Sequence, residues 1–320
     1  MVVKGLAFLA LLIIALHGYT LQRAAKHEKR AMATHPPEGQ IVMVDGHRVH
    51  AVVLAPENPR ADVVLIHGAS GNTRDFTHDL AHQLAETYRV IVFDRPGLGY
   101  TDRINRTGAT LQQQVGLLSK AASLLEAEKP IVLGQSYGGS VALAWSVYHP
   151  DRLSGLVLLA AASQTWESGL STYYKALSHS WIGPLVISYL TAYVRDERVS
   201  HELNAIFTPQ QPPSGYDQHI GAGLTLRRDS LRANALQRAN LKEEIRAMMP
   251  YYGDIAVPTE ILHGDADMTV GLHIHSVPLS GQIPDANLTV LPGIGHMPQH
   301  TSKPQVIAAI HRVASRAGLN

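Results

Sequence analysis

Four short, wholly apolar runs punctuate the middle of this 320-residue chain, at residues 63–66, 90–93, 131–133 and 156–159. A run of that length with no polar face reads as a strand buried on both sides. Helical spacing fills the gaps, as in Phe76, Leu80 and Leu84, and in Leu111, Val115, Leu118, Ala122 and Leu125. Strand patterns return at residues 259–262 and 288–291, and Val306, Ile310 and Val313 mark a last helix. Upstream, residues 41–44 and 47–54 flank the turn signal Asp45-Gly46 and read as a hairpin. The alternation predicts an α/β architecture, a mostly parallel central sheet with helices on both faces. Residues from about 163 to 250 break the rhythm. They hold helix-like stretches, many aromatics and the loop signal Pro209-Gln210-Gln211-Pro212-Pro213, which predicts a helical cap over one end of the sheet.

Composition narrows the function classes. Hydrophobic residues make up 45% of the chain and charged residues 17%, enough for a packed core and against long disorder. A net charge of +1 offers nucleic acid no electrostatic footing. The absence of cysteine excludes disulfides, iron–sulfur clusters and thiolate catalysis. Eighteen histidines call for a search for metal ligands, but His273 and His275 have i, i+2 spacing and no third ligand nearby. No metal and no cofactor are expected.

The N-terminus has its own character. Residues 5–16 are unbroken apolar, and the run extends imperfectly through His17, Tyr19 and Leu21. Residues 1–34 are expected to be an uncleaved signal anchor, associating with a membrane through residues 5–21. A cleaved signal peptide, with Ala31-Met32-Ala33 as the cleavage form, and a buried helix are the alternatives. Arg23, Lys26, Lys29 and Arg30 against Lys4 leave the side of the membrane open. His35-Pro36-Pro37-Glu38-Gly39 reads as a linker into a single domain over 35–320.

The chemistry is concentrated in Gly134-Gln135-Ser136-Tyr137-Gly138, a G-x-S-x-G pattern. A buried strand runs into it and a helix-compatible stretch, residues 141–147, runs out, the context a nucleophile elbow needs. A serine hydroxyl is a weak nucleophile at neutral pH. It needs an imidazole to take its proton and a carboxylate to orient that imidazole. His296 lies just beyond the strand at 288–291, and Asp267 just beyond the strand at 259–262. In open α/β sheets the active site assembles at those carboxyl edges. Asp265 is the rival acid, placed where it would cap the turn.

From residue 40 onward the chain resembles the α/β-hydrolase fold superfamily, in its serine-nucleophile, lid-bearing branch. The resemblance rests on His67-Gly68-Ala69-Ser70-Gly71, Asp94-Arg95-Pro96-Gly97-Leu98-Gly99-Tyr100, residues 134–138, residues 264–267 and Gly295-His296, in family order. It implies an oxyanion hole built from the backbone N–H groups of Ala69 and Tyr137. His67 is expected to brace the oxyanion loop and Asp94 to stabilise its turn. Arg227, Arg228, Arg232 and Arg238 read as a solvated helix face, with a grip on a substrate carboxylate as the alternative. The sequons at Asn105 and Asn287 are taken as chance.

A serine at the elbow argues against the haloalkane dehalogenase and epoxide hydrolase chemistries of the same fold, which use aspartate there. The expected activity is a serine hydrolase, carboxylesterase-like, cleaving an ester or related acyl bond of a small to medium apolar substrate through an acyl-enzyme. Carbon–carbon bond hydrolysis of a diketone-type substrate is the alternative. A silent fold used only for binding is the second. The sequence leaves the oligomeric state open.

Overall fold

The computed structural model describes residues 2–319. Its core is one eight-stranded sheet: β1 (Gln40–Val44), β2 (His47–Leu54), β3 (Asp62–Ile66), β4 (Arg89–Phe93), β5 (Ile131–Gln135), β6 (Gly155–Leu159), β7 (Thr259–Gly264) and β8 (Ala286–Leu291). The spatial order is β1-β2-β4-β3-β5-β6-β7-β8. The first two strands pair antiparallel with each other, and β2 pairs antiparallel with β4. All later pairings are parallel.

The apolar runs serve both faces at once. Val64 and Ile66 of β3 join a buried cluster with the helices Leu111–Leu124 and Tyr137–Tyr148. Val63 and Leu65 point the other way, into a cluster with Phe76, Leu80, Val306 and Ile310. Strand side chains alternate, so a strand covered on both faces must be apolar at every position. Each such Val or Leu contributes roughly 1.5–3 kcal/mol on burial. The helix at Leu111–Leu124 starts on a reciprocal cap. The Thr110 hydroxyl accepts from the Gln113 N–H, and the Gln113 side chain accepts from the Thr110 N–H.

Topology sets where chemistry can occur. From β3 the chain steps to β4 on one side, then crosses back to place β5 on the other side of β3. The carboxyl ends of β3 and β5 therefore flank the switch point of the sheet, where crevices form. The loop at residues 67–71 and the turn at Ser136 leave from those two ends.

Between β6 and β7 a helical cap interrupts the sheet. It includes helices Thr172–Ser178, Ile182–Tyr193, Asp196–Ile206 and Arg228–Met248. Leu177, Ile187, Leu226, Leu231 and Ala235 give it a small core of its own. Three of the four arginines expected to form a solvated face do not do so. Arg228 pairs with Glu28 at 2.7 Å. Arg232 bonds the carbonyls of Leu177 and His179, and Arg227 those of Leu224 and Gly99. These three cations find backbone carbonyls or a distant carboxylate, so they fasten the cap.

The N-terminal helix runs unbroken from Val2 to Thr34 and is long and apolar enough to cross a membrane. Its first half is exposed. Its second half lies on the cap, where Thr20, Ala24 and Ala31 are buried. Arg23 Nε donates to the Ala192 carbonyl at 2.7 Å, and Thr20 Oγ1 lies 3.2 Å from the Tyr193 hydroxyl. The following segment is also tied down, with Glu38 paired to Arg74 at 2.6 Å and the Tyr100 hydroxyl donating to the His35 carbonyl.

Candidate active site

Ser136 stands between β5 and the helix Tyr137–Tyr148 with φ 54° and ψ −118°. A non-glycine residue held there stores roughly 1–3 kcal/mol, and it persists only where its neighbours over-determine it. They do. Its N–H donates to the Leu159 carbonyl at 2.9 Å, and its carbonyl accepts from Gly139 at 3.0 Å and Ala162 at 3.3 Å. The elbow glycines are steric necessities. A Cβ on Gly138 would lie 2.1 Å from the Ile66 carbonyl oxygen, and one on Gly134 2.1 Å from the Gly138 carbonyl oxygen.

Across the switch point lies the loop after β3. The N–H groups of Ala69 and Tyr137 have no acceptor among the described residues. The loop is gripped from the cap. Asn234 accepts from the Ser70 N–H at 2.9 Å and donates to the Ser70 hydroxyl at 2.9 Å, and the Thr225 hydroxyl donates to the Ser70 carbonyl at 2.6 Å. From below, the buried Arg95 donates to the carbonyls of His67 and Gly68 and to Gln114 and Gln237. Its guanidinium lies 4.2 Å from the centre of the Tyr137 ring.

Beyond β7 and β8, His296 Nδ1 meets Asp267 Oδ2 at 2.7 Å. The other Asp267 oxygen accepts from the N–H groups of Thr269 at 2.7 Å and Val270 at 2.9 Å. Both residues are buried. Asp265 does not reach the imidazole; its carboxylate accepts from the Gly293 N–H at 2.6 Å. The structure thus brings Asp267 and His296 together. Ser136 Oγ makes no hydrogen bond to either, and it has no hydrogen-bond partner among the described residues. Catalytic contacts often close only once substrate is bound.

Three supporting residues escaped the sequence reading. Gln135 donates to the His296 carbonyl at 3.1 Å, so the residue before the serine anchors the histidine loop. His263 Nε2 stands 3.2 Å from Asp267 and is itself fixed by Ser276 at 2.6 Å. Gln210 of the cap accepts from the Gly295 N–H at 2.9 Å. His67 and Asp94 hold the loops. Arg95 N–H donates to His67 Nε2 at 3.0 Å, and Asp94 accepts from the N–H groups of Thr73 and Tyr100. His275 accepts from the N–H groups of Ser163 and Gln164 through Nδ1. Among the described residues no group of three His, Asp or Glu is arranged to hold a metal.

A family model of the alpha/beta hydrolase fold matches residues 63–303. The chain belongs to the alpha/beta hydrolase fold family. A 2-hydroxy-6-oxo-2,4-heptadienoate hydrolase from Pseudomonas putida is 27% identical over 265 residues, 82% of this chain and 90% of that protein. An alpha/beta hydrolase fold protein from Burkholderia ambifaria superposes with a TM-score of 0.70 at 22% identity, over 85% of this chain and 96% of its own. A bacterial membrane phospholipase A superposes with a TM-score of 0.64 at 20% identity, covering 98% of this chain and 99% of its own.

Electrostatics give this alpha/beta hydrolase an acid-sensitive frame. Burial acts to raise the Asp267 pKa, but hydrogen bonds from His263, His296 and the Val270 backbone outweigh it. The carboxyl is held well below the usual carboxylate range. Burial, with the Arg95 charge, pushes His67 down to about 4, and burial with the His263 charge pushes His275 to about 4. Both imidazoles are neutral when folded. Between about pH 6.5 and 4 the unfolded chain takes up protons that the folded chain refuses, so stability falls as pH drops through that window. The loss reaches roughly 3 kcal/mol for each histidine by pH 4. The stability held by Asp267 is lost only at lower pH. Urea midpoints are therefore expected to be level above pH 7 and to fall steadily from pH 6.5 to 4.5. A midpoint unchanged down to pH 5 would contradict this.

Proposed function

We propose that this protein is a membrane-anchored serine hydrolase that cleaves an ester or related acyl bond. The observations that carry the reading are a strained Ser136 with no hydrogen-bond partner among the described residues, an Asp267–His296 pair 2.7 Å apart, and the bond from Gln135, next to the serine, to the His296 carbonyl. Ser136 Oγ attacks the carbonyl carbon while His296 Nε2 takes its proton. Asp267 holds the Nδ1–H and stabilises the imidazolium. The oxyanion is received by the N–H groups of Ala69 and Tyr137; losing one such donor typically costs about 2.7–4 kcal/mol. His296 then protonates the leaving group and an acyl-enzyme remains. Water, giving its proton to His296, releases the acid and restores Ser136. With p-nitrophenyl esters of graded chain length, a burst of p-nitrophenol stoichiometric with enzyme is expected. Absence of turnover with every chain length would count against the reading.

Retention of the N-terminal helix is supported by its contacts. Cleavage after Ala33 would discard the Glu28–Arg228 pair and the packing of Thr20, Ala24 and Ala31 on the cap.

One observation favours carbon–carbon bond hydrolysis as a second reading. Arg238, unlike its three neighbours, has no hydrogen-bond or ion-pair partner among the described residues, and it lies 5.5 Å from the centre of the Tyr174 ring. Tyr174 in turn contacts Asn234, the residue that grips the oxyanion loop. A free cation there suits a substrate carboxylate such as that of a 2-hydroxy-6-oxo dienoate, the substrate class named for the Pseudomonas putida relative. On that reading Arg238→Gln lowers kcat/KM for the dienoate about 10–100-fold. It leaves a neutral ester within about twofold. Equal effects on both substrates would remove the second reading.

A further inference from the structure

The cap helix Ile182–Tyr193 has an outer surface that a water-facing helix would not carry. From Trp181 to Tyr193 there is no charged residue. Trp181 is 86% exposed, Ile182 51% and Leu185 48%. An open groove of about 450 Å³ runs along it, lined by Leu185, Val186, Tyr189, Leu190, Tyr193 and Val194.

Its neighbour sets its depth. His17 stacks on Tyr189 with ring centres 6.4 Å apart, and one turn further on Thr20 meets Tyr193. The two helices therefore run in the same direction. Trp181 lies eight residues before Tyr189, up to about 12 Å back along the axis at 1.5 Å per residue. The same rise back from His17 reaches Leu9, inside the apolar run of the N-terminal helix. Tyr189 and Tyr193 then fall beside His17 to Arg23, where an aromatic and basic belt belongs.

The start of this helix is also prepared for a dry environment, where unpaired N–H groups are costly. His179 Nδ1 accepts from the N–H groups of Trp181 and Ile182, and the His179 carbonyl accepts from Gly183. Pro184 has no N–H to satisfy.

We propose that the Trp181–Leu185 end of the cap inserts among the acyl chains of the bilayer beside the N-terminal helix, as a second membrane-contacting element. This rests on the reading of residues 5–21 as a membrane anchor. The occupant of the face is lipid hydrocarbon, and the cap over Ser136 is held at the membrane surface.

The cysteine-free chain permits a direct test on the full-length protein. Single nitroxide labels are placed at Leu185→Cys, at Phe8→Cys in the anchor and at Leu124→Cys, an exposed position at the end of the helix Leu111–Leu124. The protein is reconstituted in vesicles of phosphatidylcholine and phosphatidylglycerol, and collisions with oxygen and with a water-soluble nickel chelate are measured. The expected result is a high oxygen-to-nickel ratio at Leu185, matching Phe8 and inverted relative to Leu124. A nickel-accessible label at Leu185 overturns the proposal. Phe8 then tells whether the anchor reading falls with it or stands alone. A label at Leu185 shielded from both reagents and broadened by a second spin would place another copy of the chain on this face, which also overturns it.

Discussion

Replacing Ser136 with alanine is expected to lower kcat on the best acyl substrate by about 10⁵–10⁶-fold, while the protein stays folded. Both halves follow from the geometry. The hydroxyl is the nucleophile of the proposed reaction. It also donates to nothing among the described residues, so its removal breaks no native hydrogen bond. Alanine tolerates the backbone here, as Ala160 of the same edge already holds φ 45°. Unfolding midpoints should therefore shift by no more than the equivalent of about 0.5 kcal/mol. Steady-state kinetics and urea unfolding on the same preparations check this. Retained turnover would remove Ser136 from the chemistry, and a collapsed midpoint would make it structural.

Asp267→Asn is expected to cost about 10⁴-fold in kcat with little change in KM. The carboxylate has two jobs on two oxygens. One accepts from Thr269 and Val270, and an amide oxygen can continue that. The other faces His296 Nδ1 at 2.7 Å and His263 Nε2 at 3.2 Å. His263 Nε2 also meets the Val270 carbonyl at 2.8 Å, so it presents a proton to both acceptors. An amide NH₂ in that place forces His296 to accept through Nδ1. The proton then sits on Nε2, where the serine needs an acceptor. Asp265→Asn is the matched control. Among the described residues its carboxylate accepts from the Gly293 N–H alone, so kcat should hold within a few-fold. A large loss there with none at Asp267 would reverse the assignment.

How much of this was legible follows from the range of each interaction. The parallel strands announced themselves because burial on both faces leaves no polar position, as in Val63-Val64-Leu65-Ile66. The elbow was legible because its constraints are local: a strand, a strained turn and two glycines within a few residues. Asp267 and His296 could be placed because each follows a strand, and parallel strands deliver their carboxyl ends to one edge. The second layer was not legible. Asn234 reaches Ser70 across 164 positions and Gln135 reaches the His296 carbonyl across 161, and neither leaves a local trace. Arg227, Arg228 and Arg232 looked solvated because their acceptors are backbone carbonyls or, for Arg228, a carboxylate 200 residues away. One signal was available for the docking of the N-terminal helix. Thr20, Ala24 and Ala31 put small residues along one face of an otherwise polar stretch, which is the spacing for close packing.

A fluorophosphonate probe tests most directly for an activated serine at position 136. The full-length protein in detergent is treated with the probe and its intact mass read, beside Ser136→Ala and His296→Ala. A single adduct is expected on the unaltered chain, mapped to the peptide carrying Ser136. It should be absent from the first variant and formed far more slowly in the second. No adduct on folded protein, or an adduct that survives in Ser136→Ala, would contradict the account and leave the fold as a binding scaffold or the nucleophile elsewhere.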